Sequence, residues 1–96
     1  MGVELKTYYV YILLCTNGNY YCGYTTDIKR RYQEHCDGSK KCKYTRSFPP
    51  VSLAACWEIQ SDTSSNAMKL ERAVKRLSKE LKKKLINNPR NIELLM

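Results

Sequence analysis

The period of hydrophobic and polar positions changes along the chain, and each change marks a predicted element. Tyr8-Tyr9-Val10-Tyr11-Ile12-Leu13-Leu14-Cys15 is dense in aromatic and branched residues and runs into Asn17-Gly18-Asn19, which predicts a strand followed by a tight turn. Tyr20 to Thr25 then forms the returning strand of a hairpin. The length of the turn decides which tyrosines share a face, because side chains alternate with period two. A two-residue Asn17-Gly18 loop sets Tyr11 opposite Tyr24 and leaves Tyr21 on the other face. A three-residue loop, Asn17 to Asn19 with a bulge, puts Tyr11 and Tyr21 on the same face. The residues alone leave both registers open.

A helical period takes over at Asp27, which can cap a helix from about Ile28 to Cys36, with Asp37-Gly38 as the stop. Its stripe of Ile28, Arg31, Tyr32 and His35 mixes packing residues with two polar groups. From Ser39 to Pro50 the chain reads as a basic loop, since Pro49-Pro50 blocks regular structure. Val51, Leu53, Ala55, Trp57 and Ile59 alternate with smaller or polar residues and predict a third strand with one better-buried face. Thr63, Ser64 or Ser65 can cap a second helix with an apolar stripe of Ala67, Leu70, Val74 and Leu77. Ser78 breaks or recaps it before Leu81, Leu85 and Ile86, and Asn88-Pro89 ends the pattern. Together the elements predict an α+β fold, a small three-stranded antiparallel sheet flanked by helices.

Ninety-six residues suit one domain, 1–96, with a modest core. Seventeen Lys and Arg against nine Asp and Glu leave a formal charge of +8, a field that steers polyanions toward the surface. Nucleic acid is the leading partner on that ground; a basic surface that merely aids solubility is the alternative. Five cysteines without a C-x-x-C pair suggest neither a disulfide framework nor a zinc ribbon, and read as small buried hydrophobes in a reducing cytoplasm. Met1 to Lys6 followed by an eight-residue apolar run resembles no signal peptide, and that run is too short to span a bilayer. No membrane association is expected.

Charge becomes informative where it is clustered or misplaced. Lys40, Lys41, Lys43 and Arg46 surround Tyr44 in a segment suited to a phosphate backbone, or simply to solvent. Between Lys69 and Arg90 nine basic residues face two Glu, which predicts a basic outer surface on the C-terminal helices. Glu71 borders the apolar stripe of the second helix, where a carboxylate is unfavourable to desolvate unless it binds a cation or pairs with a neighbour such as Lys75.

The order of these features resembles the GIY-YIG nuclease superfamily over nearly the whole chain. Tyr9-Val10-Tyr11 and Tyr21-Cys22-Gly23 stand where the family has its two signature tripeptides, followed by a helix carrying Arg31 and His35 and a later helix carrying Glu71. Lys43-Tyr44-Thr45-Arg46 is similar to the small stand-alone bacterial members. The signature is degenerate: the first tripeptide departs from Gly-Ile-Tyr in two residues and the second has Cys for Ile, while Tyr11, Tyr21 and Gly23 are kept. The resemblance implies a site on one sheet face near the first helix and favours the bulged turn, which brings both motif tyrosines to it. It also implies a late supporting Asn, for which Asn87 and Asn88 are both candidates.

Phosphodiester hydrolysis requires an activated water and relief of charge on the phosphoryl and leaving oxygens. On the resemblance, Tyr11, Tyr21, Arg31, His35 and Glu71 are the expected catalytic set, with one Mg²⁺ or Mn²⁺ ion on Glu71; Mg²⁺ keeps several waters and needs few protein carboxylates. Arg31 can fork onto phosphate oxygens, unless it serves a structural salt bridge. His35 can position water or accept a proton, unless it is a satisfied core histidine. Tyr11 and Tyr21 can orient or activate water, although phenols in strands more often pack. Lys29, Lys40, Lys41, Lys43, Tyr44 and Arg46 are expected to position nucleic acid. The expected function is a structure-selective or weakly sequence-specific endonuclease, with DNA favoured over RNA and no obligate protein partner. The rival reading is a nucleic-acid-binding module without effective turnover.

Overall fold

A computed structural model describes residues 4–96; Met1 to Val3, part of the expected 1–96 domain and of the segment judged against a signal peptide, lie outside the described residues. Three strands, β1 (Lys6–Cys15), β2 (Tyr20–Thr25) and β3 (Pro50–Ser61), form one antiparallel sheet in the order β2-β1-β3. The central strand β1 carries the most continuous apolar run and is the most buried, as a strand covered on both faces must be.

The hairpin turn is a three-residue loop, but it spans Thr16 to Gly18 rather than Asn17 to Asn19. Cys15 N donates to Asn19 O at 2.9 Å and Gly18 N to Cys15 O at 2.9 Å. Gly18 takes φ of 79°, a left-handed conformation that glycine adopts without steric cost, and the Asn17 side chain accepts from Asn19 N. Tyr11 consequently pairs with Gly23 and Leu13 with Tyr21, so the two motif tyrosines share a face, as the bulged alternative required.

Helix α1 (Ile28–Asp37) begins where Asp27 accepts a hydrogen bond from Arg30 N and ends at Gly38 in the left-handed region. The expected loop from Ser39 to Pro50 instead contains a short helix, α2 (Lys43–Ser47). One turn of helix is too short to show a period, and Pro49-Pro50 comes just after it, where it blocks nothing. Helices α3 (Ser65–Arg76) and α4 (Lys79–Asn87) follow, α4 capped by Ser78 through Leu81 N. A 3₁₀ segment, Pro89–Leu95, ends the described chain and buries Ile92.

The sheet separates two apolar clusters. Val10, Ile12, Cys22 and Ile59 on one face meet Ala67, Leu70 and Val74 of α3, with Leu85 and Ile92. Tyr11, Leu13 and Cys15 on the other meet Ile28 and Tyr32 of α1 and Tyr44 of α2. The third strand departs from its expected uniform face: Ile12 pairs with Ala55 but Leu13 pairs with Leu53, so Ala54 is bulged and the alternation inverts. Ala55, Trp57 and Ile59 face the α3 cluster, whereas Val51 and Leu53 are exposed. Of the cysteines, Cys15, Cys22 and Cys42 are buried as expected, but Cys36 and Cys56 are exposed; all five are free thiols. Among the described residues no helix is long and apolar enough to cross a membrane.

Candidate active site

Gly23 makes room for the Tyr11 phenol. It lies on the edge strand β2 directly opposite Tyr11, whose ring leans across it: a Cβ at residue 23 would stand 2.5 Å from the Tyr11 hydroxyl and 2.7 Å from Cζ. No larger residue leaves room for the phenol, which is a packing reason for the glycine of the second signature tripeptide. The phenol so placed meets His35 from α1, with Tyr11 Oη 2.8 Å from His35 Nε2. Tyr21, one pleat further along β2, packs edge-on to the same imidazole at 5.1 Å between centroids and stacks on Tyr44 at 5.7 Å.

Tyr11, Tyr21, Gly23 and His35 line a cleft of about 360 Å³ that Arg31, Glu71 and Lys75 also enter. Glu71 arrives from the far side. Helix α3 packs on the opposite face of the sheet from α1, but it lies against β2, and Cys22 Sγ approaches the Glu71 carbonyl at 3.8 Å. Because β2 is an edge, a side chain on the flank of α3 can pass it and reach the cleft. The border position of Glu71 on the α3 stripe is thus explained by where the stripe ends, at the rim of the sheet.

The cleft is cationic. Arg31 Nη1 lies 3.5 Å from Glu34 Oε1, too long for a firm hydrogen bond, and the buried Arg31 Nε has no hydrogen-bond partner in the protein. Glu34 Oε1 is likewise buried without a hydrogen-bond partner, so the Arg31–Glu34 pair is imperfectly satisfied. Glu71 Oε1 is held by Lys75 Nζ at 3.0 Å, with the carboxylate side chain 14% exposed and the lysine 51%. That contact, with Arg30 and Lys41 also on the wall, leaves one carboxylate among several positive charges.

Titration behaviour follows from burial. Tyr11 is pushed well above the usual phenol range by burial and by Tyr21, against the downward pull of Arg31. Tyr21 is raised, chiefly by desolvation, while Lys75 and Arg31 pull it down and Cys42 and Glu71 push it up. His35 is lowered by desolvation and by Arg31, so the imidazole is held neutral. The Lys75 ammonium is raised by its hydrogen bond to Glu71.

All five residues expected to be catalytic therefore meet in one cleft. His35 is 2% exposed and hydrogen-bonded through both nitrogens, so it reaches the cleft through Tyr11 rather than by touching water broadly. The expected nucleic-acid-binding set is divided. Lys41 lines the cleft; Lys40, Lys43 and Arg46 are exposed and outside its lining, and Tyr44 is partly buried beneath Tyr21 with its hydroxyl accepting from Asn17 Nδ2 at 2.9 Å. Lys29 faces away, on the flank of α1 beside Asp27, Glu34 and Asp37. Neither Asn87 nor Asn88 lines the cleft. Sequence reasoning missed Arg30 and Thr45, and treated Lys75 only as a surface partner for Glu71. Thr45 is fully buried, with Oγ1 2.6 Å from His35 Nδ1. Only the three-dimensional approach of α2 to α1 could reveal it.

Among the described residues no three His, Cys, Asp or Glu side chains stand close enough to cage a metal ion. A hydrated Mg²⁺ or Mn²⁺ that takes one carboxylate and completes its shell with water and substrate oxygens fits Glu71, provided Lys75 yields an oxygen.

A small antiparallel sheet with paired tyrosines, and with Arg, His and Glu converging at its edge, defines a nuclease-like α+β domain. The chain belongs to the GIY-YIG family: the model described as the GIY-YIG catalytic domain matches residues 7–85. It is 45% identical over 80 residues to the UPF0213 protein BH0048 of Halalkalibacterium halodurans, covering 83% of this chain and 82% of the relative. A second relative, the UPF0213 protein VNG_2274C of Halobacterium salinarum, is 42% identical over 78 residues, covering 81% of this chain and 97% of the relative. The solution NMR structure of the UPF0213 protein BH0048 from Bacillus halodurans superposes with a TM-score of 0.52 at 40% identity, covering 91% of this chain and 93% of that one. The fold is therefore that of the small UPF0213 members.

Proposed function

We propose that this protein is a divalent-metal-dependent endonuclease that hydrolyses phosphodiester bonds in nucleic acid, DNA ahead of RNA, with structure-selective or weakly sequence-specific action. The observation that supports this reading is the convergence of Tyr11, Tyr21, Arg31, His35 and Glu71, drawn from four separate elements, on one cationic cleft. So small a domain has little surface for reading a long sequence, which favours recognition of shape.

The residues divide the chemistry as follows. Tyr11 is too strongly raised to stand as a phenolate, so it acts as a relay: its oxygen takes a proton from the attacking water while its own proton passes to His35 Nε2, 2.8 Å away. The neutral imidazole is in the correct state to receive it. The hydroxide oxygen bonds to phosphorus as the ester P–O bond breaks, and the leaving oxygen is protonated from solvent. Arg31, which lines the cleft, binds the phosphoryl oxygens as their charge grows. Tyr21 packs the imidazole in place from the wall of the cleft and serves to orient the attacking water. Glu71 would hold a Mg²⁺ or Mn²⁺ ion, which when bound would supply positive charge to the reacting phosphate. Lys41 and the exposed Lys40, Lys43 and Arg46 hold flanking phosphates, and Tyr44 supports Tyr21 from below.

One observation favours the rival reading of a binding module: Lys75 already occupies a Glu71 oxygen. Incubation with a panel of labelled DNA and RNA structures, with and without Mg²⁺ or Mn²⁺ and beside Glu71→Ala, separates the two. The nuclease reading expects metal-dependent cleavage that the variant loses while it still binds. Salt-sensitive binding by both proteins with cleavage by neither would establish the binding module instead.

A further inference from the structure

Besides the Tyr11 contact, the buried imidazole of His35 makes a second, shorter hydrogen bond that the relay above does not use, 2.6 Å from Nδ1 to Thr45 Oγ1. Thr45 is fully buried on α2, and its Oγ1 also lies 3.3 Å from the Cys42 carbonyl oxygen, one turn earlier. A threonine hydroxyl carries one proton and two lone pairs, and a carbonyl oxygen carries none to give. The Cys42 contact is therefore a hydrogen bond only if Thr45 donates. Its one proton is then used, and Thr45 can only accept from His35.

We infer that Thr45 is a positioning residue that fixes His35 as the Nδ1–H tautomer and so keeps the Nε2 lone pair aimed at the Tyr11 hydroxyl. The inference rests on the nuclease reading for its consequence, but not for its geometry. With the opposite tautomer, Nε2–H would donate to Tyr11, and the phenol would have no acceptor for its proton. Thr45 itself neither gains nor loses a proton in the step: the phenol proton moves to Nε2, the imidazolium keeps Nδ1–H, and that N–H remains bonded to Thr45. The bond to an accepting hydroxyl also supports the imidazolium as it forms, in a site where burial and Arg31 disfavour it.

The anchoring is local and rigid. Arg46 N also donates to the Cys42 carbonyl, at 2.9 Å, so the acceptor that orients Thr45 is itself fixed by the first turn of α2. The role assigned to Thr45 also gives α2 a purpose: a single turn of helix sets one hydroxyl against one imidazole. Within Lys43-Tyr44-Thr45-Arg46, Tyr44 then supports Tyr21 while Thr45 orients His35.

The test needs no substrate for its first half. His35 is the chain's one histidine, so its ring nitrogens can be read by ¹⁵N NMR without assignment ambiguity. At a pH where the ring is neutral, wild type is expected to show a protonated, pyrrole-type Nδ1 and an unprotonated, pyridine-type Nε2. Thr45→Val, which keeps the shape but removes the hydroxyl, is expected to lose that preference, and Thr45→Ser to retain it. In the second half, cleavage by Thr45→Val should fall by about 10²-fold with substrate binding unchanged, and Thr45→Ser should recover most of it. A protonated Nε2 in wild type, an unchanged tautomer in Thr45→Val, or full cleavage by Thr45→Val would overturn the assignment. Absence of cleavage from every protein, wild type included, would count against the nuclease reading, while the NMR result would still decide the role of Thr45. Should Thr45→Val fail to give a folded spectrum, Thr45→Ser against Thr45→Ala supplies the same comparison.

Discussion

Replacing Gly23 by Ala adds one methyl group to an edge strand, an exchange that ordinarily stabilises by about 0.4–1 kcal/mol through the unfolded chain. Here the methyl would sit 2.5 Å from the Tyr11 hydroxyl and 2.7 Å from its ring carbon, distances at which something must move. Tyr11 cannot shift freely, because it is 2% exposed and its hydroxyl is bonded to His35. Overpacking of this kind costs about 1–3 kcal/mol. Breaking the buried Tyr11–His35 bond adds about 1–3 kcal/mol if both partners are left unsatisfied. Set against the unfolded-state gain, the net loss is expected to be about 3 kcal/mol, which for a chain of this length lowers Tm by about 12–24 °C. Urea unfolding followed by circular dichroism, with the m-value checked for constancy, measures it. A double-mutant cycle isolates the cause: in a Tyr11→Phe background the nearest clashing atom is gone and the His35 bond is already lost, so Gly23→Ala should cost at least about 1 kcal/mol less there than in wild type. Equal costs in the two backgrounds, or a Gly23→Ala protein more stable than wild type, would refute the reasoning about how the cleft is packed.

Three further outcomes follow from the same geometry. Lys75→Met frees Glu71 Oε1 and should raise Mn²⁺ affinity, measured by electron paramagnetic resonance, by no more than about fivefold, because an ion pair with a half-exposed lysine is worth at most about 1 kcal/mol; unchanged or weaker Mn²⁺ binding would count against Glu71 as the ligand. Lys41→Ala should reduce the slope of log affinity against log salt by up to about 0.9, whereas Lys29→Ala, beside Asp27 and Glu34 and away from the cleft, should leave it nearly unchanged; the reverse ranking would place nucleic acid on the other flank of α1. Because burial lowers the His35 pKa below its ordinary 6.5, the unfolded chain binds its proton more readily than the folded one. Stability from this source is complete above about pH 6.5 and is lost as pH falls toward the folded-state value, so wild type should destabilise more steeply than His35→Gln below about pH 6.5; parallel curves would deny the burial of a neutral imidazole.

Much of this was legible in the residues because it is local. The Asp27 cap, the Gly38 stop and the Ser78 cap each depend on a side chain and a backbone group within a few positions, and each appears where its chemistry requires. The pairing of Tyr11 with Tyr21 on one face needed the turn length, which Asn17 and Gly18 narrow but do not decide. What escaped is non-local or too short to be periodic. Helix α2 is one turn, Thr45 meets His35 only because α2 folds back on α1, and the bulge at Ala54 depends on how β3 registers against β1. The stripe placed Glu71 at a border; that this border overlooks the cleft depends on β2 being an edge strand, a property of the whole sheet.

The central claim is that Arg31 and Glu71, reaching the cleft from helices on opposite faces of the sheet, act on the same phosphate. Single-turnover cleavage rates for wild type, Arg31→Ala, Glu71→Gln and the double variant, with saturating Mn²⁺ and equal substrate occupancy, test it directly. Groups that serve one transition state fail together, so the account predicts losses of about 10²–10³-fold for each single variant and a double variant scarcely slower than the worse of them. Fully multiplicative losses, or a single variant cleaving at the wild-type rate, would contradict it.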